Sequence, residues 1–220
     1  MRTLSRRLFL ASGAALTALV GRPGKAQEET AVSVRQALEK RRSTRLYAPD
    51  PIEADTIHSL LSSANGVNRP ESDGRTAPSW HGAKDVDIYV AQADGVDLFD
   101  AATNSLVRVL DEDIRSQTSA EPFVGTAPVV LVYVSDMGKL QQAAAAFEMG
   151  QPAEAIERQH EIAAYVDTAV IAQNVYIFCA AEDLGTCLVG GSDPLAISSA
   201  LGLRPDQKVT YVQPLGFPAG

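Results

Sequence analysis

The stretch from Arg158 to Glu182 constrains the fold most. Ile162, Tyr165, Val166, Ala169, Ile171, Val175 and Phe178 spread around a helical projection instead of forming one narrow stripe. A helix that is apolar on most sides needs partners on most sides, so the segment predicts a long helix in the middle of the fold. A second buried element is as plain. Ala127-Pro128-Val129-Val130-Leu131-Val132-Tyr133-Val134 is a continuous apolar run, rich in β-branched residues, the pattern of a strand covered on both faces.

Other elements arrange themselves around these two. Val86, Ile88 and Val90 alternate with Asp87 and Tyr89 and predict a strand. Asp94-Gly95 signals a hairpin, Val96–Asp100 is its return strand, and Leu106–Leu110 is a short edge. Helices are expected over Ser33–Arg42, Ala54–Ala64, Asp111–Gln117, Leu140–Phe147 and Pro194–Leu201, and strands over Gly185–Val189 and Val209–Pro214. Tyr47-Ala48-Pro49-Asp50-Pro51 is extended, because each proline disfavours helix at the residue before it. The Gly-, Pro-, Asn- and Ser-rich span from Asn65 to Lys84 predicts a long irregular loop. Helices and strands mix without strict alternation, so the fold class is α+β.

At 220 residues the chain fits one domain, preceded by a leader. Ser5-Arg6-Arg7-Leu8-Phe9-Leu10 leads into the small-residue apolar run Ala11–Val20, and Gly24-Lys25-Ala26 offers a cleavage site. The pattern resembles a twin-arginine export signal over residues 1–26, leaving a domain over 27–220 and placing the mature protein in the periplasm; an uncleaved anchor is the other reading. The apolar run is short for a membrane span. Twin-arginine export carries folded proteins, often with a cofactor already inserted. Residues 1–26 hold five cations and no acid, so the remainder has 14 basic residues against 27 acidic ones, a charge of −13. That balance argues against nucleic acid or an anionic membrane surface as the main partner. Cys179 and Cys187 have no neighbouring metal-ligand pattern, so no metal site is expected. They read as two partly buried thiols, with a bridge between them left open.

Against this acidic background Arg41-Arg42-Ser43-Thr44-Arg45 stands out. It sets three guanidinium groups and two hydroxyls in five residues, a donor set that suits phosphate. Alone it is equally a solvated helix end. Three loops accompany it: Arg75-Thr76-Ala77-Pro78-Ser79, Phe123-Val124-Gly125-Thr126-Ala127-Pro128, and Leu184-Gly185-Thr186 with Gly190-Gly191. Their glycines let backbone amides approach a flat ring or a phosphate.

The order and spacing of these segments resemble the FMN-dependent nitroreductase family, closest to a branch with SagB-like dehydrogenases. Ala64-Asn65-Gly66-Val67-Asn68-Arg69-Pro70, Asp87-Ile88-Tyr89-Val90, Gln173-Asn174-Val175-Tyr176 and Leu215-Gly216-Phe217-Pro218 add to the match, which covers about residues 33 to 218. The resemblance implies a mixed sheet flanked by helices in an intertwined homodimer, with FMN at the interface. It assigns Arg41, Ser43 and Arg45, with Arg42 beside them, to the phosphate and ribityl chain. It sets Pro78 and Ser79 along the isoalloxazine, and Val189, Gly190 and Gly191 near its N5. It brings Asn174 and Val175 to the interface and substrate pocket.

Two departures bear on these implications. After Ser79 the branch usually continues with an Asn and a Gln; here Trp80-His81-Gly82-Ala83-Lys84 stands instead and puts an aromatic ring and an imidazole beside the implied ring site. Lys84 either replaces a lost amide contact or is solvated. Many relatives carry basic residues after the closing proline, whereas the sequence given reads Ala219-Gly220, which shifts the phosphate's weight onto Arg41 and Arg45. His81 is a candidate proton donor. His58 and His160 are expected on solvated helix faces. The carboxylates look dispersed, with no acid/base pair. The implied activity is transfer of a hydride or electrons through flavin N5, to or from a small molecule. NAD(P)H is a cytoplasmic pool, so an exported enzyme would oxidise its substrate directly or take electrons from a membrane or protein donor. A flavin- or small-molecule-binding protein without turnover, and a peptide-heterocycle dehydrogenase of the SagB-like kind, are the alternatives.

Overall fold

The computed structural model describes residues 32–219; the export signal expected over residues 1–26 lies outside them. Seven residues form α1 (Val34–Lys40), closed at its start by a reciprocal cap in which Ser33 accepts the Gln36 amide and Gln36 reaches back to Ser33. Helix α2 spans Ala54–Asn65 and buries Ile57, Leu60, Leu61 and Ala64, the face its spacing predicts. The supposed irregular loop contains a small antiparallel ribbon, β1 (Val67–Arg69) with β2 (Gly74–Arg75), tied by an Arg69 guanidinium bond to Arg75 O at 2.9 Å.

The main sheet has six strands: β3 (Val86–Gln92), β4 (Gly95–Asp100), β5 (Ser105–Leu110), β6 (Val129–Asp136), β7 (Gly185–Thr186) and β8 (Gln207–Gly216), in the order β5-β4-β3-β6-β8-β7. All its ladders are antiparallel; the parallel contact among the described residues is a bridge between Ser43 and Thr186 at the edge. All eight residues of β6 are buried, as the apolar run predicts. One face carries Val86, Ile88, Val90, Leu131 and Tyr133 against α2 and the long helix; the other carries Val130, Val132 and Val134 beneath Val124 and Ile197. These come from α3 (Pro122–Gly125) and α6 (Pro194–Leu201). The architecture is α+β.

Helix α4 (Met137–Ala144) begins earlier than expected because Asp136 accepts the Lys139 amide, and it ends before Phe147. Helix α5 runs for 29 residues, Ala153–Ala181. Its buried positions, including Ala163, Ala164, Asp167, Thr168, Ile171, Ala172, Val175 and Cys179, form one stripe. The opposite stripe includes Ile162 and Val166, 56% and 52% exposed. A single chain therefore covers only half of the helix. Thr168 meets Thr210 at 2.9 Å, and Gln213 reaches Ala172 O at 3.4 Å, so α5 is pinned to β8 by satisfied buried polar groups.

Two other expectations change. Asp111–Gln117 forms a single helical turn at Arg115–Gln117, because Asp113 binds the Arg115 amide and guanidinium and Arg115 reaches Ala127 O. The strand expected over Gly185–Val189 leaves the ladder after Thr186 and touches β8 again at Val189 opposite Val212.

Candidate functional site

Helix α1 gives way at Arg41, whose φ of −51° and ψ of 126° turn the chain extended. The following segment is held to β7: Thr44 N–H donates to Thr186 O at 2.9 Å, and Tyr47 bridges Pro218. Gly185 permits this approach, since a Cβ there would lie 2.7 Å from Thr44 Cγ2. Below, the Tyr47 hydroxyl donates to Thr44 O at 2.5 Å. The basic segment is thus an added ribbon on the sheet edge with alternating side chains. Arg42 and Thr44 border a cavity of about 370 Å³ together with Lys40, Tyr176, Cys179 and Asp183. Arg41 and Ser43 meet Tyr176 of α5 directly. The Arg41 guanidinium carbon lies 5.3 Å from the ring centroid, and Ser43 Oγ is 3.1 Å from the phenolic oxygen. That same oxygen accepts the Leu188 amide at 2.8 Å. Tyr176 therefore joins the basic ribbon to Leu188, the residue before the Val189-Gly190-Gly191 segment. Arg45 is exposed on the ribbon.

Val189 is fixed by exchange of hydrogen bonds with Val212 at 2.8 and 3.2 Å. Gly191 O accepts the Ser119 hydroxyl at 2.6 Å. A Cβ on Gly191 would meet nothing within 4 Å, so open space adjoins that backbone. Guanidinium groups, a hydroxyl and exposed glycine backbone thus lie on two segments that Tyr176 links through Ser43 and Leu188. This donor set fits a phosphate at one end and a flat polar ring at the other.

Pro78 and Ser79 lie on a separate wall. Ser79 Oγ accepts the Lys84 amide at 2.9 Å, closing a turn over Trp80–Lys84 in which His81 and Lys84 hold left-handed φ values of 49° and 51°. Trp80 meets His81 edge-on, and His81 stacks on Phe147 with centroids 4.3 Å apart. Lys84, a third exposed, binds Asp73 at 2.7 Å and holds that carboxyl below its usual range. The Trp80 side chain also borders a cavity of about 370 Å³ with Gln159, Ile162, Ala163, Val166 and Asp167.

Asn174 donates to Ala64 O at 3.1 Å, tying α5 to the end of α2. Val175 is 0% exposed and packs in the core, so its assignment to a substrate pocket is corrected: its helix phase points it at the sheet. His160 is corrected too. It is buried against Glu148 at 2.5 Å and abuts Trp80, where a solvated face was expected.

The dispersed carboxylates also conceal a pair. Asp85 and Asp167, 0% and 4% exposed, face one another across 82 residues of sequence. Asp85 Oδ2 accepts the Ser135 hydroxyl at 2.5 Å, while Oδ1 is buried without a hydrogen-bond partner, beside the small void that Asp167 also lines. Asp167 Oδ2 accepts the Trp80 amide at 2.7 Å. Burial, reinforced by Asp167, pushes the Asp85 carboxyl up to about 7, and burial raises Asp167 as well. The trace of this pair in the sequence is Asp167 itself, an acid set in the buried stripe of a core helix.

The Nitroreductase family model matches residues 38–217. The chain belongs to this family of oxidoreductases. Among curated relatives, the Methanocaldococcus jannaschii protein named "Putative nitroreductase MJ1384" is 27% identical over 169 residues, covering 72% of this chain and 79% of its own. Among solved structures, a Ralstonia eutropha JMP134 protein, also described as a nitroreductase, is 29% identical with a TM-score of 0.76, covering 87% of this chain and 86% of its own. NfrA2 of B. megaterium shares the fold at 15% identity and a TM-score of 0.60, over 85% of this chain and 67% of its own.

Proposed function

We propose that this nitroreductase-family chain is an FMN-dependent oxidoreductase acting on a small molecule as a homodimer, exported to the periplasm by its twin-arginine leader. One observation carries the cofactor reading: Tyr176 joins the Arg41–Ser43 ribbon to Leu188, just ahead of the exposed Gly190–Gly191 backbone. A dianionic phosphate next to a flat ring matches that edge. Bound there, FMN supplies the redox chemistry that side chains lack. Arg41 and Arg45 neutralise the phosphate, and the Ser43 hydroxyl adds a hydrogen bond. Arg42, on the cavity side of the ribbon, contributes charge at longer range. Val189, Gly190 and Gly191 bring backbone groups to the ring.

The dimer reading rests on the half-covered α5. Ile162 and Val166, with Leu38 and Val34 of α1 at 50% and 66% exposure, leave apolar surface that a second copy would bury. Pro78 and Ser79 would complete the ring site in that assembly, with Trp80, His81 and Asn174 around the substrate. The Trp80–Lys84 departure also admits a binding protein without turnover. Purification tests the reading: the protein should carry, or take up, a chromophore absorbing in the blue, and reduced donors should bleach it. A colourless protein that ignores added FMN would end the proposal, and a bound flavin that no donor or acceptor alters would favour the binding protein.

A further inference from the structure

The Trp80–Lys84 turn is strained and is held from outside. Two of its non-glycine residues sit in the left-handed region, at roughly 1–3 kcal/mol each. Ser79 closes the turn internally, but the Trp80 N–H bond to Asp167 is what fastens it to α5. Asp167 in turn faces Asp85, which is locked to β6 through Ser135. Two buried carboxylates in contact do not both ionise without a large cost, because each charge is desolvated and repels the other. A proton between them satisfies Asp85 Oδ1, the buried oxygen otherwise without a partner.

We infer that Asp85 and Asp167 share one proton and that this proton fastens the Trp80–Lys84 turn to α5, making the two aspartates positioning residues for the wall of the proposed ring site. The proposal rests on the flavin reading only for what the wall serves. Two cations border the same small void: Lys84 is committed to Asp73 at 2.7 Å, while Arg75 donates to Asn65 O at 3.3 Å, lies 3.6 Å from Asp73 and keeps a buried Nε without a hydrogen-bond partner, with no hydrogen bond to either aspartate of the pair. From β6 the facing group is the neutral Ser135; on the far side of Trp80 stand His160, paired with Glu148, and His81. Loss of the proton leaves two adjacent anions under the turn, admits water, and loosens Trp80. The pair touches the Trp80–Asp167 cavity only through Asp167.

Trp80 is the one tryptophan of the chain, so its emission reads the turn directly and needs no flavin. The experiment is a pH titration of tryptophan fluorescence on the purified protein from pH 5 to 9, for wild type, Asp85→Asn, and the double variant His81→Gln/His160→Gln. The carboxamide introduced by Asp85→Asn would present an N–H donor to Asp167 and keep an acceptor for Ser135, mimicking the protonated state. The expected result is a single transition near pH 7 in wild type. It should persist in the histidine double variant and vanish in Asp85→Asn, whose spectrum at pH 8 should match wild type at pH 5. No wild-type transition, or one that survives Asp85→Asn and is lost with the histidines, overturns the proposal. Flavin content measured on the same samples separates the two readings, since the transition is expected whether or not FMN binds.

Discussion

The hydroxyl of Tyr176 meets Ser43 Oγ at 3.1 Å while accepting the Leu188 amide at 2.8 Å. One side chain of α5 thereby ties the basic ribbon to the residue that precedes Val189-Gly190-Gly191. Tyr176→Phe keeps the ring beneath Arg41 and removes both hydrogen bonds. It leaves the Leu188 N–H without its partner, at a cost of roughly 1–3 kcal/mol. FMN affinity should fall although no charge is lost, and thermal unfolding of the apoprotein should show the lower stability. Unchanged flavin retention would detach Tyr176 from the site.

The ribbon's alternation divides its three arginines. Arg41→Ala and Arg45→Ala should each weaken FMN retention by roughly 1.5–3 kcal/mol, the scale of a charged hydrogen bond. Arg42→Ala should cost well under half of that, because Arg42 borders the cavity with Lys40 and Asp183. Equilibrium dialysis against FMN compares the three. Equal losses at all positions would mean that the cluster acts as a diffuse field and not as a shaped grip.

The elements themselves were legible because period and burial coincide in this chain. Ala127–Val134 could only be an interior strand, and the spacing in α2 names its buried face. Long-range polar geometry was not legible. Asp85 and Asp167 are brought together by the register of β3 on β6 and by the packing of α5, neither of which leaves a local pattern. His160 looked solvated because its partner, Glu148, lies across a loop. Val175 shares a motif with Tyr176, and only the 100° helical step between them decides that one enters the core and the other the site. The Trp80–Lys84 departure is visible as composition, whereas its left-handed backbone and its bond to Asp167 arise from the packing of the turn on α5.

The carboxylate pair gives stability an unusual pH slope. Burial, reinforced by Asp167, pushes the Asp85 carboxyl from about 4 in the unfolded chain up to about 7 in the folded one. Between those values the native state holds a proton that the unfolded chain has released. Stability therefore declines as pH rises through this window and flattens above it, at no more than about 1.4 kcal/mol per pH unit. Asp113 and Asp136, held low by Arg115 and by Lys139 and Arg204, act in the opposite sense and lose stability only at lower pH. Urea midpoints at pH 5, 6, 7 and 8 should fall in wild type and stay level in Asp85→Asn.

The remaining apolar surface of α5 predicts assembly. Ile162 and Val166 lie one helical turn apart on the stripe opposite the core and border the Trp80 cavity. A charge placed there would be buried in a dimer but solvated in a monomer. Burying an unpaired charge costs several kcal/mol per ion, and a two-fold interface repeats the penalty in both copies. Val166→Asp should therefore convert a dimer to a monomer while leaving the fold of each chain intact, because the side chain does not face the sheet. Light scattering coupled to size exclusion reads the mass, and circular dichroism checks the fold. If the site is completed by the second copy, flavin retention should drop with the dimer; a folded monomer that keeps its flavin would place the whole ring site within one chain.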